Sequence, residues 1–269
     1  MSQAARDKLK SGDLSGALTD LKSHIRDNPA EPKSRIFLFQ LLAVTGDWSK
    51  ALTQLNVAAE LDSSATLMAQ TCRELINCED FRSSVFQGER APLIFGKPEP
   101  WVATLIQALG PAVRGDGEMA SRAATAAFSD AETIGGTIDG EPFTWIADGD
   151  MRLGPATEIV VNGKYYWIPF SSISEIKLYA PEDLRDLVWI PAEFKWKNEG
   201  ESVGFIPVRY PGHFDDDQLS LARKTTWNDI GNEYFIGAGQ RIISTDSADY
   251  PLLQIRHIVI DQPVDEVQS

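Results

Sequence analysis

One short string occurs twice near the amino terminus and limits the fold more than anything else in the chain. Gly12 to Leu18 reads GDLSGAL and Gly46 to Leu52 reads GDWSKAL, 34 residues apart. Neighbouring positions keep the same step: Leu21 answers Leu55, Ile25 answers Ala59, and Asn28-Pro29 answers Asp62-Ser63. The physical content is a helical hairpin. Gly-Asp makes the turn, the small Ala17 and Ala51 let the second helix pack closely on the first, and Pro29 stops that second helix.

A period of 34 residues is that of tetratricopeptide helix–turn–helix units. The register predicts helices over Gln3 to Leu9 and Ser15 to Asp27, then Pro32 to Thr45 and Ser49 to Leu61. The opening helix of the second unit is apolar nearly all round, from Ile36 to Leu42, so it is expected to be buried on more than one side. A third, degenerate unit is expected over Thr66 to Cys78 and Phe81 to Gln87, ending at Gly88. After a Pro- and Gly-rich break, Ala91 to Pro100, another helix pair is predicted over Trp101 to Val113 and Glu118 to Phe128, turning at Arg114 to Gly117. Stacked units of this kind form a groove lined by their first helices. The groove-facing positions are Lys33, Phe37, Gln40 and Val44 in unit two, and Gln70, Glu74 and Asn77 in unit three. Phe37 and Val44 read equally well as core. The Lys, Arg and Asn cluster that captures a terminal carboxylate is missing, and an amphipathic helix laid apolar face down suits the groove better.

Past Asp139-Gly140 helical periodicity gives way to short runs of Val, Ile, Tyr, Phe and Trp between turn residues. Glu158 to Pro169 predicts a hairpin around Asn162-Gly163, a pair that accepts positive φ. Further strands are expected at Ser174 to Tyr179, Leu187 to Ile190, Phe194 to Lys197, Val203 to Val208, Tyr234 to Ile236, Arg241 to Thr245 and Leu253 to Ile260. Ser220 to Trp227 fits a short helix or an extended segment, Gly237 to Gly239 marks a turn, and the acidic end, Asp261 to Ser269, is expected to fray. The fold class is therefore α+β: tetratricopeptide-like α-helical repeats followed by a small, strongly bent β-sheet or partial barrel. It divides into residues 1–90 (repeats), 91–135 (linker plus a further helical hairpin) and 136–269 (β-rich).

Charge narrows the partners. The formal net charge of −14 repels nucleic acid and anionic lipid, whose binding depends on Lys and Arg, and favours basic proteins or basic amphipathic peptides. Met1 to Asp13 has no apolar stretch, and Ile36 to Val44 falls far short of the ~20 residues that span a bilayer, so neither a secretory signal nor a membrane segment is expected. Cys72 and Cys78 read as reduced, partly buried thiols of a cytoplasmic protein.

Asp148, Asp150 and Arg152 invite a metal or acid–base reading. A calcium loop, however, would need an oxygen ligand at Arg152, Gly at Leu153 and Glu at Ile159. On one face of a strand the three would form an ion-paired cluster beside Trp145. His24, His213 and His257 are too scattered for zinc or a triad, and no phosphate loop or nucleophile elbow appears, so no metal or cofactor is expected. Pro181 to Asp186 reads as a turn and helix start with carboxylates near its amino end.

Four strings in order carry a resemblance: FTWIADGDMRLGP (Phe143 to Pro155), NGKYYWIPF (Asn162 to Phe170), PEDLRDLVWIPA (Pro181 to Ala192) and IPVRYPG (Ile206 to Gly212). With the preceding repeats they make the chain similar to the TagJ/ImpE accessory proteins of bacterial type VI secretion, from Gly12 to about Trp227. One departure is Gly149, where a small residue such as Ala is expected within D-A-D-x-R. The resemblance implies a non-enzymatic cytoplasmic adaptor. Such a protein binds an N-terminal helix of the small contractile-sheath subunit and helps link contracted sheath to recycling by the AAA+ unfoldase. It locates no binding residues. Two other readings remain: a structural subunit that self-associates through the β region, and an enzyme with a site at Asp148, Asp150, Arg152 and Glu158.

Overall fold

The structure is a computed structural model that describes residues 3–96 and 98–261. Helices α1 (Gln3–Ser11) and α2 (Leu14–Asp27) form one hairpin, and α3 (Pro32–Val44) and α4 (Trp48–Leu61) form the next. The repeated Gly-Asp explains both turns. Gly12 and Gly46 take φ of +87° and +74°, the left-handed conformation that ends a helix, where a Cβ would be strained. The following Asp13 and Asp47 cap the next helix, their carboxylates accepting from the backbone N–H groups of Gly16 and Lys50. Gly115 and Asp116 repeat the device between α6 (Pro100–Val113) and α7 (Gly117–Asp130), with Asp116 accepting from Met119 N–H.

The third unit differs from expectation. Thr66–Phe86 is one 21-residue helix, α5, and not a hairpin. No Gly or Pro interrupts Cys78 to Phe81, and burial of Cys72, Leu75, Ile76, Cys78, Arg82, Val85 and Phe86 continues across the expected break. The helix stops where expected, at Gly88, with φ +71°.

Strands β1 (Leu93–Ile94), β2 (Gly136–Ile138), β3 (Glu141–Phe143) and β4 (Ile146–Asp148) precede the hairpin of β5 (Ala156–Val161) and β6 (Lys164–Pro169). Asn162 and Gly163 both take positive φ at its tip, as their sequence requires. There follow β7 (Ile173–Leu178), β8 (Trp189–Trp196), β9 (Glu201–Pro207), α8 (Asp217–Ser220), β10 (Thr225–Asp229), β11 (Phe235–Gly239), β12 (Ile242–Thr245), β13 (Asp249–Pro251) and β14 (His257–Ile260). Among the described residues they form a nine-stranded sheet in the order β1-β6-β5-β9-β8-β7-β14-β2-β3, a β10-β11 ribbon and a β13-β12-β4 sheet. The large sheet has two edges, so it is open and no barrel closes. Two expected strands merge into β8, which runs through Pro191, and Gly237 to Gly239 lie inside β11 instead of turning the chain. Most of the acidic end, residues 262–269, lies outside the described residues.

Two apolar clusters hold the molecule together. One fills one side of the large sheet with Ile159, Ile168, Phe194, Ile206 and Ile258 among its members. The other is shared: Leu21, Phe39, Leu55, Val85 and Leu105 of the helices pack in one cluster with Val160, Tyr165, Trp167 and Trp189 of the sheet. Segment 91–135 is likewise tied in, because β1 pairs in parallel with β6. Helix α3 lies between α2 and α4 on one side and the 3-10 turn Leu184–Leu187 on another, so every residue from Phe37 to Val44 is buried.

Candidate functional site

The chain's own β region fills the face that the repeat register left open for a partner. Phe37, Gln40 and Val44 are 7%, 6% and 0% exposed, so as side chains reachable by a partner they are corrected to core. Lys33 at the start of α3 is exposed, as are Gln70, Glu74 and Asn77 on α5. Gln70, Glu74 and Asn77 lie with Arg73, Thr66 and Ala59 along a groove of about 340 Å³ between α4 and α5. Arg209 explains the closure of α3 chemically. Its guanidinium is buried and donates to the carbonyls of Val44 and Ala43 at the end of α3, and at 2.7 Å to that of Ser220 at the end of α8. A cation at a helix C-terminus meets carbonyls that have no partner in the helix and the negative end of its dipole. Burial without a carboxylate contact brings Arg209 down to about 10.

A charge network lies beneath α5. Glu158 on β5 is fully buried and faces this helix beside its cross-strand neighbour Trp167. Arg82 of α5 donates to both its oxygens, at 2.5 and 3.0 Å, and continues to Glu79 at 3.2 Å and the Arg209 carbonyl at 2.7 Å. Tyr165 O–H donates to Glu158 at 2.5 Å and in turn accepts from Trp167 Nε1 at 2.7 Å. Arg241, 0% exposed, bridges Glu158 and Asp148. Asp148 also accepts from Tyr210 O–H at 3.0 Å and from Asp150 N–H at 2.9 Å. Asp150 binds Arg152 in two-pronged fashion, at 2.8 and 2.5 Å, and accepts from Gly237 N–H. Arg152 lies 4.8 Å over the Phe86 ring.

The ion-paired cluster expected at Asp148, Asp150 and Arg152 therefore exists, with a different origin. Only Asp148 is in a strand; Asp150 and Arg152 occupy the turn after β4. The indole against this segment is Trp227, which a Cβ on Gly149 would meet at 2.8 Å, while Trp145 is exposed. This contact accounts for glycine in the D-G-D string. Sequence does not reveal the partners Arg82, Arg241, Tyr165 and Tyr210, because 76 to 93 residues separate the two arginines from Glu158 and Asp148.

Electrostatically the carboxylates diverge. Burial works to raise Glu158, but Arg82 and Arg241 more than offset it and hold the group at about 2. Burial raises Asp148 to about 6, with nearby Asp150 adding to the effect and Arg241 only partly countering it. The oxygens of Glu158 are taken up by Arg82, Arg241 and Tyr165, which makes it the tie between helix α5 and the sheet. A cleft of about 460 Å³ opens beside the network, lined by Trp48, Arg82, Phe86, Arg152, Arg209 and His213. Among the described residues no group of three or more His, Cys, Asp or Glu is arranged to hold a metal, and no helix is long and apolar enough to cross a membrane.

The chain is similar to known proteins. The family model described as ImpE protein matches residues 140–259, the stretch that contains Asp148, Glu158, Arg209 and Arg241. The chain is 44% identical over 256 residues to the type VI secretion system accessory component TagJ of Pseudomonas aeruginosa, covering 94% of this chain and 90% of that protein. The crystal structure of protein VPA1032 from Vibrio parahaemolyticus superposes with a TM-score of 0.89 at 25% identity, covering 97% of this chain and 98% of that one. With the similarity extending through helices and sheet alike, the chain belongs to the TagJ/ImpE family of type VI secretion accessory proteins.

Proposed function

We propose that this accessory protein is a non-enzymatic cytoplasmic adaptor. It captures an N-terminal helix of the small contractile-sheath subunit and so helps bring contracted sheath to the AAA+ unfoldase that recycles it. The helical hairpins act as tetratricopeptide-like units whose inner face is given over to the β region, leaving the α4–α5 groove for the partner. The observation that carries the reading is that groove, with Gln70 and Glu74 exposed on a 21-residue helix anchored to the sheet. Lys33 is the exposed member of the α3 set, and Arg73 and Asn77 extend the polar row. The buried charges support a scaffold role, because Glu158, Asp148 and Asp150 hold the arginines that join the elements. The test is calorimetric titration with a synthetic peptide of the sheath subunit's N-terminal helix. Saturable binding weakened by Gln70→Ala plus Glu74→Ala supports the reading. No binding at high micromolar peptide overturns it.

A further inference from the structure

Helix α5 covers only part of the sheet face on which it lies. Along β9 the side chains alternate, so Glu201, Val203 and Phe205 share that face, while Gly204 and Ile206 turn to the other side. The register sets Phe205 opposite Pro191 and Val203 opposite Glu193 on β8. Where α5 ends its cover, a mainly apolar cleft of about 350 Å³ opens between Leu67, Met68 and Leu75 of the helix and Trp189, Pro191 and Phe205 of the strands. Its two flanks carry the most exposed large apolar side chains among the described residues, Leu67 at 76% and Val203 at 73%.

We propose that this ledge is a docking surface for a basic amphipathic helix, laid beside α5 as a second member of the same layer. The proposal rests on the adaptor reading and names the apolar part of its partner site. Three observations choose the occupant. Strand β8 is hydrogen-bonded to β9 on one side and β7 on the other, so the strand that carries Trp189, Pro191 and Glu193 has no free edge with which an added strand could pair. A helix, with its backbone groups satisfied internally, covers a sheet face as α5 already does. Carboxylates are in excess: Lys177 pairs with Glu175, Lys195 with Glu199 and Arg185 with Asp183, so Glu193 and Glu201 beside Val203, set opposite Lys177 and Lys195 across the strands, are left without an ion pair of their own among the described residues. A helix whose apolar stripe is edged by Lys or Arg completes both patterns. A second copy of this chain, with its net charge of −14, brings the wrong sign.

The experiment is fluorescence anisotropy with two labelled peptides, the sheath-subunit helix and a generic Leu–Lys amphipathic helix. Each is titrated with the full chain, with Leu67→Asp and with Val203→Asp. Both positions are solvent-exposed, so the variants fold, and matching circular dichroism melts verify this. Each variant is expected to weaken both peptides at least about tenfold, since a Leu- or Val-sized apolar contact is lost. The added aspartate strengthens any purely electrostatic attraction to the Lys peptide, so only docking on the ledge predicts a loss. Equal binding of the sheath peptide to all three proteins overturns the ledge and leaves the adaptor reading standing. Binding of the Leu–Lys peptide alone, lost on Val203→Asp, keeps the ledge and overturns the sheath reading. No binding of either peptide to the unaltered chain overturns both.

Discussion

Glu158→Gln removes one charge and almost no volume from the middle of the molecule. The carboxylate is fully buried and serves two guanidiniums at once, so the amide leaves Arg82 with Glu79 and Arg241 with Asp148 as their remaining anions. Breaking a buried pair from one side costs about 3–5 kcal/mol, because the stranded charge cannot regain water. The titration of the group gives a second route. Its value falls from an ordinary 4.5 to about 2. At about 1.4 kcal/mol per unit, this contributes about 3 kcal/mol to stability at neutral pH. The folded state holds the proton more weakly than the unfolded chain, so this stability is complete above the unfolded value and is lost as pH falls towards the folded one. Urea unfolding at pH 7 should therefore place the variant about 3 kcal/mol below the parent, and melting should drop by roughly 10 °C for a chain of this size. The gap should narrow as pH falls from 4.5 towards 2. A loss below about 1 kcal/mol at pH 7, or a gap independent of pH, would refute the assignment of Glu158 as the charged tie between α5 and the sheet.

Asp148 predicts the opposite slope. Raised from 3.8 to about 6, it binds its proton more tightly in the folded state, so its effect favours folding at low pH and diminishes stability as pH rises through that window. Asp148→Asn should remove this falling limb from the stability–pH profile measured by urea titration. Gly149→Ala places a methyl group 2.8 Å from the Trp227 ring and should cost about 1–2 kcal/mol, with a change in tryptophan emission marking displacement of that indole. The thiols of Cys72 and Cys78 are driven by burial up to about 11 and about 12. An aromatic disulfide reagent at pH 8 should therefore leave both intact in the native protein and titrate both in denaturant.

Local chemistry made much of the fold legible. Gly12-Asp13 and Gly46-Asp47 announce a left-handed residue followed by a helix cap, and Asn162-Gly163 announces a tight hairpin; each needs only adjacent residues. Helix α5 departs from the repeat period because no residue between Cys78 and Phe81 makes the break that the period predicts. Strands β2 to β4 are three residues each, too short for alternation to register. The candidate site was half legible. Asp148, Asp150, Arg152 and Glu158 stand close in sequence, and the polar positions Gln70 and Glu74 are indeed exposed. What completes the network comes from afar: Arg82 from a helix, Arg241 from the residue just before β12. A charged residue leading directly into an apolar pair, as in Arg241-Ile-Ile, is the signal that marks it. Phe37 and Val44 went inward because the register describes a repeat array in isolation, and here the sheet supplies the next layer.

That shared layer has a thermodynamic consequence. The helices through Asp130 enclose Phe39, Leu55 and Val85 in the same apolar cluster as Trp167 and Trp189, and Arg82 and Arg209 reach across the boundary with their charges already desolvated. Cutting the chain there would strip both halves of a face and leave buried ions without counterparts. Neither half is then a module to be exchanged between proteins. The accessory protein should melt as one unit, and the anchorage of α5 runs through Glu158 and Arg241 to Asp148 in the small β13-β12-β4 sheet.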